Sequence, residues 1–334
     1  MAVLVTGGAG FIGSHTCAEL LRRGHEVVIV DDHSNSSPAA LDAIREVSGR
    51  GVTAYPVDLR DQKGMNRAFG ENQIDAVIHF AAKKHVRESM RMPLNYYGIN
   101  VGGTVSLVET MLKHDVRRLV FSSSGSIYGN QFKAPISEED QPGPTNPYAR
   151  SKLMCEQILS DACRVNPELS VAALRYFNPI GAHPSGTIGE HPTDILSNVL
   201  PVMMQVALGQ LDCLEVYGDD YHTPDGSCVR DYIHVVDVAE AHCVALDHLD
   251  KPGMQVFNLG TGKGVSVLQL LATFEEVTGK KVRYRIVGRQ PGDVDMLIAD
   301  PTRIEKIWGW QTSRDLPVMC RDAWHFQSLH PGGY

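Results

Sequence analysis

Three side chains in this sequence are spaced for proton chemistry. Tyr148 and Lys152 stand four residues apart in a stretch that reads as helix just after Pro147, so both lie on one helix face. A tyrosine phenol has an ordinary pKa of about 10 and is a poor base at neutral pH. A neighbouring ammonium stabilises the phenolate and makes general-base chemistry feasible. Ser124 closes the run Phe121-Ser122-Ser123-Ser124 and can hydrogen-bond the oxygen that reacts. Ser124, Tyr148 and Lys152 are therefore the candidate catalytic set.

The N-terminus offers a dinucleotide site to accompany them. Thr6-Gly7-Gly8-Ala9-Gly10-Phe11-Ile12-Gly13 lies between a short apolar run and a helical pattern. Its glycines satisfy both G-x-G-x-x-G and G-x-x-G-x-x-G, allowing a tight turn whose helix N-terminus presents free N–H groups to a pyrophosphate. Asp31, at the tip of the second apolar run, falls near the spacing of about 20 residues at which an acid accepts from the adenosine ribose. The segment 32–37 holds no Arg or Lys to welcome a 2′-phosphate, which favours NAD over NADP. Asp58 and Leu59 fit the adenine end.

The elements that must hold these groups follow from the apolar pattern. Runs at 2–5, 27–30, 76–80, 118–122 and 171–174 read as buried strands. Helical patterns at 12–23, 61–69, 93–114 and 148–164 lie between or after them. Such alternation predicts a Rossmann-type α/β fold, a doubly wound parallel sheet covered on both faces. After about Phe177 the rhythm is lost, Pro and Gly become frequent, and two helical stretches stand out at 198–208 and 236–249. This predicts an NAD-binding domain over 1–176 and a smaller C-terminal α/β substrate lobe over 177–334, with the segment around 232–250 returning to the first domain.

Composition narrows the partners. The chain has 334 residues and a formal net charge of -8, which disfavours nucleic acid. No apolar run approaches the length of a membrane span, and no basic leader precedes the first strand. Seven cysteines, an odd number without a C-x-x-C pair, point to reduced thiols and a cytoplasmic setting. The 14 histidines show no metal-ligand spacing, and no metal requirement is expected.

At this point the sequence resembles a known family, the extended short-chain dehydrogenase/reductases, and within them the UDP-galactose 4-epimerases. The resemblance spans essentially the whole chain. It rests on Leu4-Val5-Thr6-Gly7-Gly8, His79-Phe80-Ala81-Ala82, the Ser124, Tyr148 and Lys152 set, and Leu174-Arg175-Tyr176-Phe177-Asn178-Pro179. It continues through Gly181-Ala182-His183-Pro184-Ser185-Gly186, Val229-Arg230-Asp231-Tyr232-Ile233-His234, Asn258-Leu259-Gly260 and Trp324-His325-Phe326-Gln327-Ser328. The resemblance implies that Tyr148, assisted by Ser124, takes the proton of a sugar 4-hydroxyl while C4 gives hydride to bound NAD. The 4-keto sugar then turns over and takes the hydride back on its other face.

The resemblance also implies contacts. For NAD they are Gly7, Gly10, Phe11, Ile12, Gly13, Asp31, Asn35, Asp58, Leu59, Phe80, Ala81, Lys84, Tyr148, Lys152 and Phe177. For a UDP-sugar they are Lys84, Ser124, Tyr148, Asn178, Asn198, Tyr217 at the uracil, Arg230 on the diphosphate and Asp293 on the uridine ribose. A homodimer through the helices at 93–114 and 148–164 is implied as well.

Three positions depart from the family pattern. In Gly288-Arg289-Gln290-Pro291-Gly292-Asp293, Gln290 replaces an arginine; either Arg289 reaches the diphosphate instead or that contact is lost. Lys83, His85 and Arg87 make the loop around Lys84 unusually basic and read as a solvated loop. Leu297 stands where some members carry a bulky Tyr, which predicts some tolerance of an N-acetyl group. Among rivals, a 4,6-dehydratase would place Asp and Glu where this chain has Gly125 and Ser126. An epimerase of UDP-glucuronate or a UDP-pentose would share the same C4 chemistry, and a non-catalytic NAD-binding sensor would not need the phenol and its ammonium.

Overall fold

Alternation by twos sends the side chains of each central strand into two separate cores. In β1 (Ala2–Thr6), Val3 and Val5 join one apolar cluster and Leu4 the other; β2 (Glu26–Val30) divides Val27 and Ile29 from Val28 and Val30 in the same way. A strand buried on both faces reads as an unbroken apolar run. The computed structural model, which describes residues 1–131, 133–190, 198–290 and 293–334, builds these runs into one sheet. Its other strands are β3 (Thr53–Tyr55), β4 (Ala76–His79), β5 (Arg118–Ser122), β6 (Ser170–Tyr176) and, far later in the chain, β10 (Gly253–Leu259). Among the described residues the order is β10-β6-β5-β4-β1-β2-β3, with every pairing parallel. The winding reverses between β1 and β4, so the carboxyl ends of those strands open on a crevice, the usual ligand position in such sheets.

Helices close both faces, as the doubly wound pattern requires. On one side α1 (Phe11–Arg22) packs between α2 (Ala39–Ser48) and α9 (Val235–Asp247). On the other, α3 (Gln62–Gly70), α6 (Gly102–Lys113) and α7 (Pro147–Val165) bury Met65, Leu107, Met111 and Leu159 against the sheet. Full burial of side chains of this size stabilises by roughly 1.5–3 kcal/mol each.

The helix expected at 93–114 is not uniform. After α4 (Val86–Arg91) and α5 (Pro93–Tyr96), residues Tyr97–Val101 form a π-helical turn that runs into α6. The Asn100 carbonyl is taken by Thr104 Oγ1 at 2.7 Å and approached by Cys155 Sγ at 3.4 Å, competitors for the ordinary helical bond. Such turns recur at functional sites. Here the widened turn frees the Asn100 side chain to accept from Lys83 N at 2.8 Å and donate to Ser151 Oγ at 2.9 Å, tying the loop after β4 to α7.

The second lobe carries more order than the sequence pattern predicts. β9 (Val229–His234) is flanked by β7 (Asn178–Ile180), β11 (Gly264–Ser266) and β13 (Met296–Leu297), while β8 (Leu214–Tyr217) pairs with β12 (Tyr284–Val287). α8 (Val199–Ala207), α10 (Val267–Thr278) and α12 (Leu316–Leu329) share a third core with Phe274 at its centre, and α11 (Thr302–Trp308) packs on β10. Only α8 and α9 match helical stretches expected in this half. α10, α11 and α12 have no counterpart among those stretches, although α10 begins on a capping box between Ser266 and Gln269. Among the described residues no helix is long and apolar enough to cross a membrane.

Candidate active site

The glycine turn is held by backbone contacts that leave no room for a side chain at Gly7 or Gly13. Gly7 adopts φ +68, and a Cβ on Gly13 would stand 2.1 Å from the Gly7 carbonyl oxygen. α1 starts at Phe11 with Gly10 as its N-cap and no side-chain cap, so its first-turn N–H groups remain for a ligand. Asp31, buried at the end of β2, accepts from Ala9 N at 2.9 Å, His33 N at 3.0 Å and Ser36 Oγ at 2.8 Å. Those bonds lock the acid at the rim of the turn. Asp58 is held in turn by Arg60, whose Nη2 donates to it at 2.5 Å.

Ser124 and Tyr148 reach the crevice from two helix starts. Ser124, two residues past the end of β5, is in extended conformation and caps the 3₁₀ turn Gly125–Tyr128, its Oγ 2.8 Å from that of Ser126. Asn146 caps α7 by accepting from Ala149 N at 2.9 Å, and Pro147 opens the first turn, which sets Tyr148 at the helix entrance. Burial pushes the Tyr148 phenol above its ordinary pKa, and Ser124 pulls part of the way back. One turn on, Lys152 Nζ donates to Ser122 O at 2.7 Å and lies 5.0 Å from the Phe121 ring centroid. Burial brings Lys152 down to about 8, against the opposing pull of Cys155 and Glu156. At neutral pH it therefore still carries its proton.

A single cleft of about 1360 Å³ joins these groups to the second lobe. Gly7, Gly10, Phe11, Ile12, Gly13, Asp31, Asn35, Asp58, Leu59, Phe80, Ala81 and Phe177 line one end, with Ser124, Tyr148 and Lys152 beside them. Lys84, Asn178, Asn198, Tyr217, Arg230, Asp293 and Leu297 line the other. Arg230 alternates along β9 with Asp231, which is buried on the opposite side and accepts from Thr261 and Gly262. Arg230 itself donates to Val294 O at 2.9 Å and to Asp293 Oδ1 at 3.3 Å. Leu297 joins Ile127, Tyr128 and Phe177 in a small apolar cluster.

Arg289 is the candidate that the structure does not bring to the cleft. Its Nε donates to Asp220 Oδ1 at 2.6 Å and its guanidinium sits 4.1 Å from the Tyr221 ring centroid, whereas Gln290 lines the cleft. Of the same motif, Pro291 and Gly292 lie outside the described residues. The basic loop also departs from expectation. Lys83, His85 and Arg87, read as a solvated loop, all line the cleft. A further group has no signal in the sequence: buried Glu190 accepts from Lys84 Nζ at 3.1 Å and Asn198 Nδ2 at 3.0 Å, joining the two lobes. A lone acid in a glycine-rich stretch carries no spacing that would reveal it.

The histidines of the family-like blocks serve the scaffold. His79 bridges Thr6 Oγ1 at 2.7 Å and Thr104 Oγ1 at 3.0 Å, with burial holding it down to about 3 and therefore neutral. His234 Nε2 lies 3.2 Å from Asp322, and His325 Nδ1 lies 3.2 Å from Pro184 O. Among the described residues no group of three His, Cys, Asp or Glu side chains is placed to hold a metal ion.

Comparison with known proteins agrees with this geometry. Residues 3–260 match the model of the NAD dependent epimerase/dehydratase family. A UDP-glucose 4-epimerase of Bacillus subtilis is 51% identical over 335 residues, covering 100% of this chain and 99% of that protein. The crystal structure of a UDP-glucose 4-epimerase from Bifidobacterium longum, in complex with NAD+ and UDP, superposes with a TM-score of 0.97 at 46% identity over 100% of both chains. A UDP-Glc/GlcNAc 4-epimerase from Campylobacter jejuni superposes with a TM-score of 0.85 at 37% identity, covering 98% of this chain and 99% of that one. With its glycine turn, its sheet and its full length accounted for in this way, the chain belongs to the NAD dependent epimerase/dehydratase family.

Proposed function

We propose that this protein is an isomerase, an NAD-dependent UDP-glucose 4-epimerase that interconverts UDP-galactose and UDP-glucose. One observation carries the reading: a serine, a phenol and an ammonium line one cleft together with a glycine-turn dinucleotide cradle and the basic and aromatic residues of a nucleotide site. The cradle fits NAD, because Gly7 and Gly13 admit no Cβ and Asp31 waits at the ribose position without a basic neighbour in the segment 32–37. Bound there, NAD supplies a nicotinamide that accepts the C4 hydride and returns it.

The chain's own groups do the rest. Tyr148 takes the proton of the 4-hydroxyl and gives it back to the same oxygen once the sugar has turned over, Ser124 holds the reacting oxygen, and Lys152 keeps the phenolate accessible. Asn178 and Asn198 hold the sugar and diphosphate, Arg230 grips the diphosphate as a planar fork, Tyr217 stacks on uracil and Asp293 takes the uridine ribose. A dehydratase is disfavoured by packing as well as by chemistry. A Cβ on Gly125 would meet the Phe177 ring at 2.8 Å, so no acid fits there without moving that ring.

The test is direct. Purified protein incubated with UDP-galactose, with no NAD added, is expected to yield UDP-glucose; absence of product even with NAD supplied would sink the reading. In the same assay UDP-N-acetylgalactosamine is expected to turn over measurably, because Leu297 leaves the space a tyrosine would fill; no turnover of the acetylated sugar would remove that part.

The assembly we propose is a homodimer. Met90 (61% exposed) on α4 and Leu94 (82% exposed) on α5 belong to elements packed on α7, where Met154 is also exposed, and a second copy would cover these apolar side chains. Light scattering should give a two-chain particle, and Leu94→Glu should shift it toward one chain; an unshifted single-chain mass for the parent protein would refute the dimer. The free, mostly buried thiols fit a cytoplasmic setting.

A further inference from the structure

Arg87 is an exposed cation in a loop whose sequence reads as solvated, yet it crosses the mouth of the cleft. From α4 on the sheet-bearing lobe, its Nη2 donates to Gln290 Oε1 in the other lobe at 2.6 Å. The same guanidinium lies 5.0 Å from the ring centroid of Tyr217. Both partners line the cleft, at the end where Arg230 and Asp293 also sit.

The pairing is unlike that of Lys84, Arg230 and Arg285, which also line the cleft. Lys84 is paired with Glu190, Arg230 with Asp293 and Arg285 with Glu215. Arg87 instead rests on a neutral amide and an aromatic face, and among the described residues it forms no ion pair with a carboxylate. Glu215 feels its charge only at longer range. A guanidinium has five donors. With one spent on Gln290, a planar fork remains for an anionic oxygen. Gln290 is suited to aim that fork because it accepts from it without cancelling its charge. An arginine at 290, which the family resemblance leads one to expect, would instead repel Arg87.

We infer that Arg87 is a substrate-binding residue which, aimed by Gln290, grips the diphosphate of the nucleotide-sugar from the NAD-binding lobe and takes over the contact that neither Gln290 nor Arg289 makes. The inference rests on the reading of the cleft as a UDP-sugar site. As the base takes the Tyr217 face, the guanidinium moves off that ring onto the diphosphate oxygens. Arg87 and Arg230 then hold the diphosphate from opposite lobes, and binding draws the lobes together.

The test uses the NAD-loaded protein and three variants, Arg87→Ala, Arg87→Lys and the double change Arg87→Ala with Gln290→Arg. Calorimetric titration with UDP and steady-state kinetics with UDP-galactose are run on each. Arg87→Ala is expected to raise the Kd for UDP and the KM for UDP-galactose by roughly ten- to a hundredfold, the range of a lost charge-assisted contact, with kcat changed far less than KM. Arg87→Lys should recover only part, since an ammonium cannot reproduce the fork. The double variant should recover most of the affinity, because its arginine restores a cation on the same side of the cleft. Because Arg87 is exposed, NAD content and thermal midpoint serve as folding controls. Wild-type affinity for UDP in Arg87→Ala, in a preparation whose parent turns over UDP-galactose, would overturn this inference alone. A parent protein that neither binds UDP nor turns over UDP-galactose would overturn the functional reading itself, and this inference with it.

Discussion

Tyr148→Phe lowers kcat for UDP-galactose by about 10²- to 10⁴-fold, the share of catalysis a positioned acid–base group supplies, while bound NAD and the thermal midpoint hold. The expectation follows from what the hydroxyl does and does not support. The ring stays buried in the variant, and the hydroxyl's neighbour Ser124 keeps its bond to Ser126 Oγ at 2.8 Å. What disappears is the one oxygen at the start of α7 able to hold the proton of the sugar hydroxyl. Burial alone would leave that phenol a still weaker base than free tyrosine. The Lys152 ammonium is therefore part of the device: its pKa of about 8 keeps it charged at neutral pH, and its bond to Ser122 O fixes where that charge sits. Single-turnover measurement of the NADH absorbance formed on adding the sugar nucleotide separates chemistry from product release. A Tyr148→Phe protein with kcat within about threefold of the parent, a difference below 1 kcal/mol in barrier, would mean that another group carries the proton.

How much of this is legible in the sequence depends on how local each signal is. The glycine turn, the acid after it and the Tyr148–Lys152 pair are patterns within a few residues or a fixed stride, and the elements on either side are long, regular and apolar. β10 is different. It joins the far edge of the sheet beside β6, pairing Gly253 with Ser170 from 83 positions later in the chain, in a half where glycine and proline obscure the rhythm. The helical pattern at 93–114 is right in extent but hides the π turn, which depends on Thr104 and Cys155 competing for one carbonyl. Arg87 and Glu190 mark the real limit. Each acts through a partner across the cleft, and the 203 positions separating Arg87 from Gln290 leave no periodicity to read. Conversely, Arg289 looks available by its position in the motif, and only the fold shows it committed to Asp220 and Tyr221.

Glu156→Ala is the change expected to harm the fold most, by about 3–5 kcal/mol, because it strands a buried guanidinium. Arg175, at the end of β6, donates through Nε to Glu156 Oε1 at 2.9 Å, through Nη2 to Oε2 at 2.6 Å and through Nη1 to the Tyr128 hydroxyl at 2.8 Å. The two side chains are only 7% and 6% exposed. Burial opposes the charge on Arg175 and Glu156 sustains it; a guanidinium does not give up its proton in a protein, so in the variant it stays ionised with only the Tyr128 hydroxyl left to accept from it. Ser123 loses the acceptor it donates to at 2.5 Å, one residue before Ser124. Denaturant unfolding measures the loss, and a double-mutant cycle identifies its source. If the penalty is a stranded charge, Glu156→Leu with Arg175→Leu together cost less than the two single changes summed; strict additivity would assign the damage to packing instead. A second readout reaches the active site. The Glu156 carboxylate favours the Lys152 ammonium, so its removal lets Lys152 release its proton at lower pH. The alkaline limb of the pH–rate profile should therefore move toward neutrality in Glu156→Ala, which a loss of stability alone would not produce.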